Sequence, residues 1–246
     1  MGAVLEFISF SYGERVLFKD FSLVLGPESP LVILGPSGCG KTSLFRIIAG
    51  QVGVDAGRVV RPGRGVVSMV FQEPRLLPWR TALENVRIPL ESQQGKAEAT
   101  AQASRYLAMV GLQDRLHSYP GELSGGQRQR VSIARAFAYP SDIVLMDEPF
   151  QSLDLPLRIQ LMDLIQDLLE LSPRTLAVVT HDPREAIYLG NRIVVLSEAP
   201  VRILFDRTIG TPRSERSYAS PGSAELESLL FKALTGSLDS SYSPRA

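Results

Sequence analysis

Cysteine is nearly absent from this chain: Cys39 is the only one among 246 residues. An internal disulfide is therefore impossible and a cysteine-rich metal site is excluded, which fits a reducing compartment. Long apolar runs are missing too. LAVVT, DIVLM and RIVVL are strand-sized, far short of the roughly 20 residues a membrane-spanning helix needs. The opening MGAVLEFISFSYGERVLF has no basic stretch followed by a long apolar one, so it does not read as a secretory signal. An excess of one charge sign is also lacking, since Lys+Arg and Asp+Glu both count 26. A neutral chain gives no support for binding nucleic acid through a broad basic field, and no nucleic-acid partner is expected. There is no internal repeat. Any membrane role must come through a partner.

What is present has the composition of an ordinary globular protein, 44% apolar and 21% charged. The length suffices for one large α/β domain with a smaller subdomain. Residues 4–25 read as strands with a turn at Tyr12-Gly13-Glu14-Arg15. Leu31–Leu34 is a buried-strand run, followed by a Gly-rich loop and a helix from Thr42 to Ala49 closed by Gly50. Val66–Phe71 is another apolar strand. From about Thr81 to Ala138 the pattern is helical, with a stop at Gly111 and a helix over Gly125–Ala138. Strands return at Ile143–Met146, Leu176–Thr180 and Ile193–Leu196, with a helix over Pro156–Leu171 between the first two. Strands alternating with helices predict a mainly parallel sheet; the helical stretch interrupting them predicts an inserted subdomain. Residues 211–222 (TPRSERSYASPG) read as a linker, Ala224–Leu234 as a short amphipathic helix, and the final GSLDSSYSPRA as a disordered tail.

The stretch Gly35-Pro36-Ser37-Gly38-Cys39-Gly40-Lys41-Thr42 matches the phosphate-binding pattern G-x-x-x-x-G-K-[ST] in full, and it sits between a strand and a helix as that pattern requires. Glycines let the backbone close around phosphate oxygens with its N–H groups pointing inward. The helix N-terminus, with Ser43 in its first turn, adds a favourable dipole. Lys41 is expected to reach the β- and γ-phosphates of a nucleotide, and the Thr42 hydroxyl to ligate Mg²⁺. Cys39 reads as a locally packed loop residue.

Ile143–Met146 runs into two carboxylates, Asp147 and Glu148. An acid at such a strand end holds Mg²⁺ in phosphate-loop enzymes, which assigns Asp147, and Glu148 is then placed to act as general base on the attacking water. Capping of a following helix is the structural alternative for the pair. His181 follows the run Thr175–Thr180, at a strand tip that would face the γ-phosphate. His117 has no such context and reads as a surface residue.

A phosphate loop leaves kinases, GTPases and many ATPases open. Leu123-Ser124-Gly125-Gly126-Gln127 decides among them, because LSGGQ is the family signature of ABC ATPases. The resemblance extends over about residues 4–205. It implies a P-loop NTPase (RecA-like) core with a mainly parallel sheet, N-terminal antiparallel strands and an inserted helical subdomain at about 81–138. It gives one ATPase domain over 1–210, with 211–246 outside it. Tyr12 matches the aromatic that stacks on adenine, Gln72 the Q-loop glutamine near the γ-phosphate or metal, Ser152-Leu153-Asp154 the D-loop, and His181 the switch histidine. Ser124 and the Gly125-Gly126 backbone can donate to a phosphate at a helix start; Ser124 can equally be a plain N-cap. In ABC ATPases the phosphate loop of one subunit and the signature of another sandwich each ATP. The resemblance thus implies a dimer, expected to be a homodimer, using ATP and Mg²⁺.

The run Phe71-Gln72-Glu73-Pro74-Arg75-Leu76-Leu77-Pro78-Trp79 resembles the importer branch that serves nitrate, sulfonate and taurine, with relatives for thiamine-precursor pyrimidines. That implies an ATPase subunit on the cytoplasmic face of the membrane, docked on an integral permease that receives solute from an extracytoplasmic binding protein. Pro74–Trp79 is suitable docking material, with core packing the alternative for Trp79. An exporter or lipid transporter is the other transport reading. Gln151-Ser152 departs from the Gly-Ala usual in this branch, and the tail after residue 210 has no clear counterpart.

Overall fold

The computed structural model describes residues 2–26, 30–151, 153–216, 218 and 224–237. Ser152 of the D-loop, most of the second half of the 211–222 linker, and nearly all of the tail reading lie outside them.

The chain opens with a hairpin, β1 (Val4–Tyr12) and β2 (Arg15–Val24). Gly13, at φ 58°, supplies the left-handed backbone that its two-residue turn needs. The strand β4 (Ala56–Val60) adds to the far side of β1, giving an antiparallel sheet ordered β2-β1-β4. Sequence reading missed β4, whose residues AGRVV are mostly exposed and show no apolar alternation.

The second sheet has six strands: β3 (Leu31–Leu34), β5 (Val67–Val70), β6 (Ile143–Asp147), β7 (Thr175–Val179), β8 (Arg192–Leu196) and β9 (Ile203–Thr208), ordered β5-β6-β7-β3-β8-β9. All pairings are parallel except β8 with β9. Every residue of β3, β6 and β7 is buried, which explains why these strands read as unbroken apolar runs rather than alternating ones. Successive side chains still point to opposite faces. Leu31 and Ile33 pack with α1 (Lys41–Ile48) and the antiparallel sheet, while Val32 and Leu34 join the helices on the other face. The edge strand β9 was not anticipated; Arg192 of β8 forks onto its Asp206 at 2.7 and 2.6 Å.

Helices α2 (Ala82–Gln94), α3 (Lys96–Met109) and α4 (Gly125–Ala138) form the layer between β5 and β6 in sequence. A capping box starts α2: Thr81 Oγ1 accepts from Glu84 N–H, and the Glu84 carboxylate accepts from Thr81 N–H. Then come α5 (Leu155–Leu171), α6 (Pro183–Leu189) and α7 (Ala224–Leu234). Leu230 and Ala233 of α7 are buried in the same core as Val32, Val144 and Val178 of the central sheet. Among the described residues no helix is long and apolar enough to cross a membrane.

Candidate functional site

Parallel pairing puts the carboxyl ends of neighbouring strands at one edge, where loops in such sheets gather ligands. Here β7 lies between β3 and β6, with Val179 opposite both Ile33 and Asp147. The loops after all three strands therefore meet. Glu148 N–H donates to Val179 O at 2.9 Å, and Thr180 N–H to Ile33 O at 3.2 Å. Residues 148 and 181, far apart in sequence, are neighbours for this reason.

The loop after β3 wraps around the Lys41 ammonium, which donates to Gly35 O at 2.7 Å and Pro36 O at 2.8 Å. Gly40 enters α1 at φ 118°, and a Cβ there would stand 3.0 Å from the Leu17 side chain. Glycine at this position thus serves both the backbone angle and the close pass of β2. Ser37, Gly38, Gly40, Lys41, Thr42 and Ser43 line a cavity of about 370 Å³, whose lining also includes Tyr12 and Glu148. Tyr12 lies within 3.5 Å of Ser43 and edge-on to Phe10, its ring half exposed. Cys39 turns away into the core at 2% exposure, and burial pushes its thiol pKa up.

Thr42 Oγ1 donates to Asp147 Oδ2 at 2.8 Å. Burial pushes the Asp147 carboxyl above the usual carboxylate range, and the nearby Glu148 charge adds to this; the Thr42 hydroxyl and Lys41 pull the other way. These hard oxygen donors suit Mg²⁺, which takes one or two carboxylates alongside phosphate and water rather than a full protein cage. No cluster of three or more His, Cys, Asp or Glu able to hold a metal occurs among the described residues. Thr42 and Asp147 also line a second cavity of about 370 Å³, together with Gln72 and Arg75. Gln72 Nε2 donates to Gln151 Oε1 there, and the Arg75 guanidinium stacks 4.0 Å over Phe71.

Glu148 adopts φ 47°, a left-handed conformation that is uncommon outside glycine and clusters at functional sites. Its Oε2 lies 3.3 Å from His181 Nδ1. The carboxylate thus borders the phosphate-loop cavity and faces an imidazole, an arrangement able to take a proton from water and orient it.

Ser124, Gly125, Gly126, Gln127 and Asp154 do not line the cavity. Ser124 and Gln127 form a capping box on α4, side chain to backbone at 3.2 and 2.9 Å, so the plain N-cap reading of Ser124 holds in this single chain. Ser124 and Gly125 are nonetheless exposed. Gly126 is buried because Leu157 presses on it; a Cβ would stand 2.4 Å from Leu157 Cδ2. Asp154 caps α5 by accepting from Leu157 N–H at 3.3 Å. His117 is exposed. Arg15 and Leu17, which also line the cavity, escaped sequence reading. The turn signal at residues 12–15, which sets Arg15 and Leu17 at the start of the second hairpin strand, could have placed them.

A family profile described as ABC transporter matches residues 18–151. Among curated relatives, the taurine import ATP-binding protein TauB of Pseudomonas aeruginosa is 42% identical over 210 residues, 81% of this chain and 80% of the relative. The aliphatic sulfonates import ATP-binding protein SsuB of Ralstonia nicotianae is 39% identical over 226 residues, 89% and 77%. Among solved structures, a dimeric ATP-binding cassette in a post-hydrolysis state, bound to ADP and Pi, superimposes with a TM-score of 0.71 at 31% identity, covering 84% of this chain and all of the other. The chain belongs to the ABC transporter family and is an ATPase of its ATP-binding-cassette kind.

Proposed function

We propose that this chain is the ATP-hydrolysing subunit of an importer, coupling hydrolysis to passage of a small solute of the sulfonate, taurine or nitrate class through a partner permease. The observation that carries the chemistry is one cavity lined together by Tyr12, the phosphate loop and Glu148. Kinship with two import ATP-binding proteins carries the direction of transport, and favours it over export.

In this reading Tyr12 stacks on the base and the loop from Gly35 to Ser43 holds the phosphates. Lys41 exchanges its two carbonyl partners for phosphate oxygens. Thr42 and Asp147, with Gln72 beside them, hold Mg²⁺, which when bound offsets phosphate charge. Glu148 takes the proton of the attacking water, and His181 holds the carboxylate and the terminal phosphate in line. The exposed Ser124-Gly125 edge and Asp154, outside this cavity, serve the cavity of a second subunit. The dimeric relative supports that arrangement.

Trp79 is 68% exposed, which favours docking over core packing for the Pro74–Trp79 stretch. The permease would sit there, beside Gln72, placing the chain on the cytoplasmic face of the membrane and the solute-binding protein across it. Tagged protein extracted gently from its own membranes and analysed by mass spectrometry is expected to bring down a multi-span permease, with recovery reduced in Trp79→Ala. Recovery of soluble partners alone would overturn the importer reading.

A further inference from the structure

Tyr218 is hydrogen-bonded to the loop that carries His181. Asp182, the next residue, N-caps α6 through Oδ1, which accepts from Arg184 N–H at 2.8 Å. Its Oδ2 accepts from Arg158 Nη1 and from Tyr218 Oη, both at 3.1 Å. Arg158 also pairs with Glu185 Oε1 at 3.0 Å and donates to Leu153 O at 3.2 Å, one residue before Asp154. One guanidinium thus ties the D-loop, the His181 loop and α6 together, and the phenol of Tyr218 closes the cluster from outside.

The flanking chain is anchored firmly enough to hold Tyr218 there. Arg213 reaches Asp167 and Glu170 of α5 at 2.8 and 2.7 Å. Arg216 donates to Gly190 O and Asn191 Oδ1 at 2.8 and 2.9 Å. The Tyr218 ring meets Tyr188 of α6 edge-on at 6.1 Å. Beyond, Glu227 pairs with Arg184 at 2.8 Å, and Leu230 and Ala233 are buried in the core. Burial and the Asp182 charge raise the Tyr218 pKa, so the phenol stays a donor at neutral pH. Only residues 180–182 separate β7 from α6, so a hold on Asp182 restricts the backbone of His181, one Cα–Cα step of about 3.8 Å away.

We infer that Tyr218 is a positioning residue for ATP hydrolysis: through Asp182 it holds the His181 loop against Glu148. This rests on the reading of His181 as a catalytic group.

The test is steady-state ATPase kinetics on the full-length chain carrying Tyr218→Phe, which removes one oxygen and keeps the ring packing. One net hydrogen bond shifts a loop equilibrium roughly three- to tenfold, so kcat should fall measurably, by up to that factor, with KM for ATP unchanged within about twofold. The melting temperature should stay within about 4 °C. In a His181→Ala background the same change should have no further effect. An unchanged kcat, or an equal loss in the His181→Ala background, overturns the inference while leaving the role of His181 intact. Wild-type turnover in His181→Ala alone removes that role, and the inference with it.

Discussion

His181 Nδ1 lies 3.3 Å from Glu148 Oε2, although 33 positions and a whole helix separate the two residues in the chain. The contact follows from β6 and β7 being adjacent and parallel, so their carboxyl ends finish together. A positive φ at Glu148 then turns its side chain to the cavity border.

Glu148→Gln keeps the volume of the side chain but replaces one acceptor oxygen with an amide donor and cannot take a proton. Turnover should fall roughly a hundredfold or more, while ATP binding survives. Parallel ATPase and nucleotide-binding measurements check this, and undiminished hydrolysis would refute the general-base assignment.

Lys41→Ala removes a buried ammonium and leaves the Gly35 and Pro36 carbonyls without their donor. A hydrogen bond to a charged group contributes about 1.5–3 kcal/mol, so ATP affinity should drop on the order of ten- to a hundredfold. Calorimetric titration reads this directly, and an unchanged affinity would count against the phosphate role.

Glu185 is 5% exposed, and burial pushes its carboxyl up to about 6 despite Thr180 and Arg158. Its ionised form is thus disfavoured in the folded chain. Below its unfolded value near 4.5 both states are protonated and nothing is lost. As pH rises from there through 6, the folded state gives up stability, about 2 kcal/mol in all. Glu185→Gln should therefore gain on the wild type across that window, in melting curves taken from pH 4.5 to 7. A pH-independent difference would sink the assignment.

Cys39 is sealed under the phosphate loop with a raised pKa, so thiolate is scarce at neutral pH. Alkylation of the native protein by iodoacetamide should be slow and should track unfolding by denaturant. Fast labelling of folded chain would show the loop opening far more often than this packing allows.

Much was legible from residue type and order. Apolar runs marked β3, β6, β7 and β8 because strands buried on both faces carry no alternation. Gly35–Thr42 declared its chemistry because backbone wrapping around phosphate demands glycines, a lysine and a hydroxyl at fixed spacing. Helix α4 announced its start at Ser124 through a capping pair. Elements with weak local signals were lost instead: β4 is largely exposed, α6 spans only seven residues, and β9 is an edge strand.

Sequence alone therefore determined the phosphate loop, the acidic strand end, the family signature and the alternating strand–helix order, all of which depend on neighbours within a few residues. Tertiary structure decided the rest. Strand order brought His181 to Glu148, packing of the antiparallel sheet on the phosphate loop brought Leu17 to Gly40, and the C-terminal chain brought Tyr218 to Asp182, while Ser124 and Asp154 stayed outside the cavity. Such pairings arise because parallel strands collect their ends at one edge and buried faces must be covered, and neither constraint is written in any short stretch of the chain.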